Sequence, residues 1–152
     1  IQLQGSSEKF FKVWIVFIDI YPLNDDGNLI DASTLGAVAA LRKAVVPVLD
    51  KDGSIDYKVE SEKKLPLSKE ISPISFSFYK LGESLLFDPT REEEEAADAR
   101  ITFGASYRNN NLVINSCQKA GEAILTQAEI DKMMDALPKK MEELNKKLKN
   151  FL

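Results

Sequence analysis

The chain opens on a dense apolar run. Residues 10–21, "F-F-K-V-W-I-V-F-I-D-I-Y", are mostly β-branched or aromatic. That length and composition predict a strand. Apolar residues on both of its faces predict a central strand, covered on two sides. Residues 1–4 alternate, and the turn residues at 5–8 would fold them back as a neighbouring strand.

The period then changes. Residues 31–45, "D-A-S-T-L-G-A-V-A-A-L-R-K-A-V", read as a helix, with Asp31 as N-cap and Arg42 and Lys43 suiting the C-terminal dipole. Gly36, Ala37, Ala39 and Ala40 are small enough to bring it close against a sheet, and Pro47 stops it. Asp52-Gly53 signals a hairpin within residues 48–59. Residues 60–70 are polar, contain Pro66, and form the candidate boundary between two subdomains.

Beyond the boundary, short strands are predicted at 74–79, 84–87, 101–106 and 112–117. Thr126 and Glu129 form a capping box. The helix after it carries Ile130, Met133, Leu137, Met141, Leu144 and Leu148 on one face. Pro138 lies inside that pattern and is expected to kink or split it near Ala136. The element order predicts an α+β fold, with mixed sheets, helices packed on one face and a long C-terminal helix.

Composition narrows the chemistry. The 152 residues carry 44% hydrophobic and 29% charged side chains and a formal net charge of −4. That balance argues against a stand-alone basic nucleic-acid binder and leaves room for a local basic patch. The single cysteine, Cys117, allows no internal disulfide and points to a reducing, cytoplasmic setting. It is expected to be a buried small hydrophobe. Histidine is absent, which removes the commonest general base and metal ligand. The apolar stretch 13–21 is interrupted by Asp19 and is too short to span a bilayer, so no membrane partner is expected. A start at Ile1, in what reads as mid-strand, suggests a fragment or processed piece.

Two long segments carry a family resemblance. Residues 13–32, "V-W-I-V-F-I-D-I-Y-P-L-N-D-D-G-N-L-I-D-A", resemble the RNase PH-like ring subunits of the exosome, most of all the non-catalytic archaeal type. Residues 85–103, "L-L-F-D-P-T-R-E-E-E-E-A-A-D-A-R-I-T-F", are similar to the C-terminal region of the same family. The resemblance implies an RNase PH-like fold. Residues 1–67 would be the C-terminal part of an incomplete first subdomain, and 68–152 the second subdomain.

The resemblance also bears on chemistry. Degradative members hold inorganic phosphate, their nucleophile, on a "G-G-T-R"-like turn at the start of the helix. Backbone N–H groups, a hydroxyl and a guanidinium suit that dianion. The matching positions here are Gly27, Asn28, Leu29 and Ile30. Leu29 and Ile30 have no side-chain donor, and Asp25, Asp26 and Asp31 surround the turn. A like charge at about 4 Å costs about 4 kcal/mol at an effective dielectric near 20. The acids that catalytic relatives place before the next strand would fall near Ile71 and Pro73, where Glu70 is the only carboxylate. No catalytic residue is therefore assigned. The oxygen donors Asp25, Asp26 and Asn28 do not match a calcium loop, so no metal or cofactor is assigned either.

Other features have plain readings. The charge run at 91–100 is expected to be a solvated connection, with Arg91 and Arg100 available to a partner subunit. Residues 139–149 read as an amphipathic surface helix, with Glu143 and Lys147 as an i,i+4 pair. Phe10, Phe11, Trp14 and Phe17 are expected in a core or subunit interface rather than stacked on bases. Lys58, Lys63 and Lys64 are the weak candidates for RNA contact.

The expected function is a non-catalytic structural and RNA-binding subunit. By resemblance it would alternate with a catalytic RNase PH-like subunit in a hetero-hexameric ring. RNA-binding cap subunits and single-stranded RNA would be its further partners. The alternatives are an active phosphate-dependent 3′–5′ exoribonuclease, or an unrelated α+β interaction domain.

Overall fold

The computed structural model describes residues 13–68, 73–109 and 111–148. Its centre is a four-stranded sheet in the order β2-β1-β3-β4. The strands are β1 (Ile74–Leu81), β2 (Ser84–Phe87), β3 (Ala99–Arg108) and β4 (Asn111–Gly121). Every pairing is antiparallel. Strict alternation in β1, "I-S-F-S-F", sorts its side chains to two faces of different character.

One face is apolar. Ile74, Phe76 and Phe78 join Ile101, Phe103 and Ala105 of β3 in a single buried cluster. Helix α3 (Gln127–Leu148) closes it with Met133, Leu137 and Met141, each at most 2% exposed. Phe78 meets Phe103 edge-on at 6.2 Å between ring centroids, a favoured aromatic geometry. The predicted kink at Pro138 does not interrupt α3, which runs as one helix through it. Leu137 and Met141, on either side of the proline, are both buried in the apolar cluster.

The other face is polar, and helix α1 (Leu29–Lys43) lies against it. Ser75, Ser77, Thr102 and Ser106 are buried there. The helix starts two residues earlier than the sequence pattern suggests. Its N-cap is Asn28, in the left-handed region at φ 51°, and not Asp31. Asp31 sits inside the first turn and is buried. Leu35 of α1 also reaches the apolar cluster that α3 covers.

A short helix, α2 (Arg91–Ala96), occupies the charge run that reads as a solvated connection. Thr90 and Glu93 close a capping box at its start, and three acids lie in its first turn, where the dipole favours them.

Two expectations, the strand at 13–21 and a buried Cys117, fail for want of neighbours. Residues 13–21 form no strand, and Val13, Ile15, Phe17 and Tyr21 are each more than 70% exposed. A strand with two apolar faces needs partners on both, and the described residues supply none. The companion strand at 1–4, with Phe10 and Phe11, lies outside the described residues. The hairpin signalled at Asp52-Gly53 is present in short form, with Asp50 N donating to Ser54 O, Asp56 N donating to Val48 O and an antiparallel bridge at Leu49↔Ile55. Cys117 is exposed, because β4 is an edge strand and α3 does not extend over that part of it.

Lys80 Nζ lies 2.7 Å from Glu129 Oε1, pinning the start of α3 to β1. The Lys80 bond, then the N–H and hydroxyl of Thr126, hold the Glu129 carboxyl down at about 2. A carboxyl depressed in the folded state stabilises the fold above its unfolded pKa and loses that effect as pH falls through the folded value. Stability is therefore expected to fall between pH 4.5 and about 2. Glu129→Gln should flatten that limb, which denaturant melts at stepped pH will show.

Candidate functional site

The turn that precedes α1 meets the segment that precedes α2. Gly27 takes φ +91°, a conformation open to glycine. A Cβ there would lie 2.6 Å from Pro89 O, 2.7 Å from Thr90 C and 2.8 Å from Arg91 N. The two backbones are in contact, so glycine is required here by space as well as by dihedral angle.

Asn28 is the node. It is 6% exposed, and three carboxylates converge on it. Its backbone N–H donates to Glu94 Oε2 at 2.7 Å. Its Nδ2 donates to Asp88 Oδ1 at 2.9 Å and to Asp31 Oδ2 at 3.2 Å. The side-chain carbonyl Oδ1 is left buried without a donor. Asp88 itself takes a positive φ of 58° in reaching this position.

Each carboxylate is also tied elsewhere. Asp31 accepts from Ser77 N at 2.8 Å and from Ser77 Oγ at 2.9 Å. Ser77 lies 2.9 Å from Thr102 across the sheet. A turn further along α1, Thr34 Oγ1 and Ser75 Oγ are 2.7 Å apart. Glu94 Oε1 accepts from the Tyr79 hydroxyl at 2.9 Å and stands 4.0 Å from Arg100 Nη1. Burial first, and then the Glu94 carboxylate, push the Tyr79 phenol up to about 12. The surroundings disfavour further negative charge.

The sequence candidates fall as follows. Gly27 and Asn28 have structural roles in this junction, while Leu29 and Ile30 open α1 half-buried. Lys58, Lys63 and Lys64 are exposed in the segment tied to the far end of α1, where Val46 N donates to Lys63 O and Val45 bridges Lys64. Fifteen helical residues separate the two places, about 22 Å along the axis. The lysines and the turn thus form no common site. Glu70 and Ile71 lie outside the described residues. Among the described residues no three His, Cys, Asp or Glu side chains gather as a metal site, and no helix is long and apolar enough to cross a membrane.

Arg91 and Arg100, expected to face a partner, pair within the chain with Glu95 and Glu94. In α3 the ion pair is Lys146–Glu142 at 2.7 Å. Glu143 and Lys147 instead line a cavity of about 370 Å³ beside Asn28 and Phe87. Sequence reasoning missed Asp88 and Glu94 as partners of the turn. The two segments had been singled out separately, and only tertiary contact joins them.

These motifs and this sheet belong to an RNase PH-like fold. Residues 72–136 match domain 2 of the 3′ exoribonuclease family, and residues 3–47 match domain 1. The chain belongs to that family. It is 42% identical over 138 residues to the exosome complex component Rrp42 of Thermoplasma acidophilum, covering 91% of this chain and 47% of the relative. To the Rrp42 of Pyrobaculum aerophilum it is 38% identical over 143 residues, covering 93% and 50%. The chain therefore spans about half the length of the curated relatives it matches. Among solved structures, a chain of the Archaeoglobus fulgidus exosome with RNA bound to the active site superposes with a TM-score of 0.67. That match has 30% identity and covers 83% of this chain and 45% of the other. A chain of an archaeal exosome core gives 0.60 at 34% identity, covering 74% and 41%.

The geometry makes Asp31 the anchor between α1 and the sheet. Asp31→Ala would leave the Ser77 N–H and hydroxyl buried with fewer acceptors. Unsatisfied buried groups cost about 1–3 kcal/mol each, so a loss of about 2–4 kcal/mol is expected. Urea denaturation of the variant against the parent chain measures it.

Proposed function

We propose that this chain is a non-catalytic ring subunit of an archaeal-type exosome, supporting 3′–5′ phosphorolysis of RNA by a catalytic paralogue. One observation carries the non-catalytic part. The turn where catalytic relatives would hold phosphate is enclosed here by Asp31, Asp88 and Glu94, which all contact Asn28. Leu29 and Ile30 supply neither the hydroxyl nor the guanidinium that phosphate needs. The likeness to Rrp42 proteins supports the ring assignment.

In this reading residues 1–67 are the last part of a first RNase PH-like subdomain, and 68–152 are the second. The exposed apolar side chains of residues 13–21 then belong in the interior of the first subdomain. A cavity of about 360 Å³ between that stretch and the small residues Ala32, Gly36 and Ala40 of α1 fits such a covering layer. The ring partner is a catalytic RNase PH-like subunit, the further partners are RNA-binding cap subunits and single-stranded RNA, and the setting is the cytoplasm. Lys58, Lys63 and Lys64 form an exposed basic group available to RNA phosphates.

The chain mixed with a catalytic RNase PH-like paralogue should co-elute as a hetero-oligomer by size exclusion with light scattering. Alone, it should release no nucleoside diphosphate from single-stranded RNA with phosphate and magnesium. Release by the chain alone would favour the active-enzyme reading. Failure to associate would overturn the ring-subunit reading.

A further inference from the structure

The junction at Asn28 has a direct bearing on why an oxyanion is refused. The loss of a hydroxyl and a guanidinium at Leu29 and Ile30 removes attraction. It does not by itself fill the place. Two further observations put groups of the chain itself against this turn. The backbone from Pro89 to Arg91 packs so closely on Gly27 that a single added carbon would collide with three of its atoms. The Glu94 carboxylate, one turn into α2, takes the Asn28 N–H at 2.7 Å.

We infer that Glu94 is a built-in anionic ligand of the turn before α1, and that it, together with the missing donors, determines that this subunit does not take phosphate. The inference rests on the reading of the turn as a degenerate phosphate site and deepens it.

The chemistry fits the role. The N-terminal end of a helix carries partial positive charge, and a carboxylate satisfies it much as a phosphate oxygen would. Glu94 is held in place on its other oxygen by the Tyr79 hydroxyl at 2.9 Å, so it is not a mobile side chain that an incoming anion could push aside. Asp88, 2.9 Å from Asn28 Nδ2, adds a second fixed negative charge. Like charges this close to a bound dianion oppose it strongly in a partly buried setting. The residue that blocks the turn therefore lies in the second sequence motif and not in the first.

The test separates missing attraction from built-in exclusion. Inorganic phosphate is titrated against the parent chain, Leu29→Thr/Ile30→Arg, and the same double variant with Glu94→Gln, followed by isothermal calorimetry and by phosphorus NMR. Glu94→Gln removes the charge while keeping one side-chain oxygen for the Asn28 N–H, and its NH2 can donate to the Tyr79 oxygen in place of the bond that Tyr79 gives the carboxylate. The parent and the double variant should bind phosphate weakly or not at all, and the triple variant at least tenfold more tightly than the double. Thermal melts of all three confirm that each is folded. If Glu94→Gln lowers the melting temperature without changing phosphate affinity, its role is structural only and the inference is overturned. Equal binding by the double and triple variants overturns it as well. The ring-association experiment is independent, so a chain that fails to join a ring can still pass or fail this test.

Discussion

The carboxylate of Asp31 governs how the two parts of the chain meet. It accepts from the backbone and the hydroxyl of Ser77, a residue on the edge of β1 that β2 leaves unpaired. Without that acceptor a backbone N–H would be buried unsatisfied at the end of the sheet's coverage. The same oxygen that bonds Ser77 N also receives Nδ2 of Asn28. The position of α1 over the sheet and the conformation of the turn before it are therefore one decision. A helix docked by apolar packing can slide by fractions of an ångström. One docked by convergent hydrogen bonds on a single carboxylate has far less freedom.

That constraint explains why two sequence motifs 60 and 66 residues apart act together. The turn at Gly27 and Asn28 projects from the fixed end of α1. The run from Asp88 to Glu94 leaves β2 and enters α2, and it must pass wherever that turn points. Gly27 permits backbone contact, and the left-handed conformations of Asn28 and Asp88 bend both segments toward each other. Three acids around one asparagine would repel in water. Here each has a separate donor: Ser77 for Asp31, the Asn28 amide for Asp88, and Tyr79 for Glu94.

Periodicity in the sequence was enough to locate α1, α3 and all four strands of the sheet, because each has one apolar face and a partner within the chain. The capping box at Thr126 and Glu129 marked the start of α3 correctly for the same local reason. Asp31 was misread because an acid before an alanine-rich helix suits an N-cap. Its actual role depends on Ser77, 46 residues away. Helix α2 was passed over although Thr90 and Glu93 have capping-box spacing, since the surrounding charge run gave no apolar period. Residues 13–21 show the reverse failure. Their composition specifies a strand, but a strand is a property of pairs, and the described residues hold no pair for it. The exposed Cys117 shows that alternation identifies a face without telling whether anything covers it.

The sheet's two faces bear on what this junction can do. The α3 face is held by the packing of Phe76, Phe78, Phe103, Met133 and Leu137. The α1 face offers Ser75, Ser77, Thr102 and Ser106, which water could satisfy nearly as well as protein. Docking of α1 therefore joins the apolar contact of Leu35 to hydrogen bonds that fix its direction. A structure that places hydrogen-bond geometry where apolar packing would serve has fixed an orientation, and what is oriented is the turn before α1. With Asp31 turned to the sheet and Glu94 turned to Asn28, the turn is held in one conformation by polar contacts that share Asn28 and Asp31.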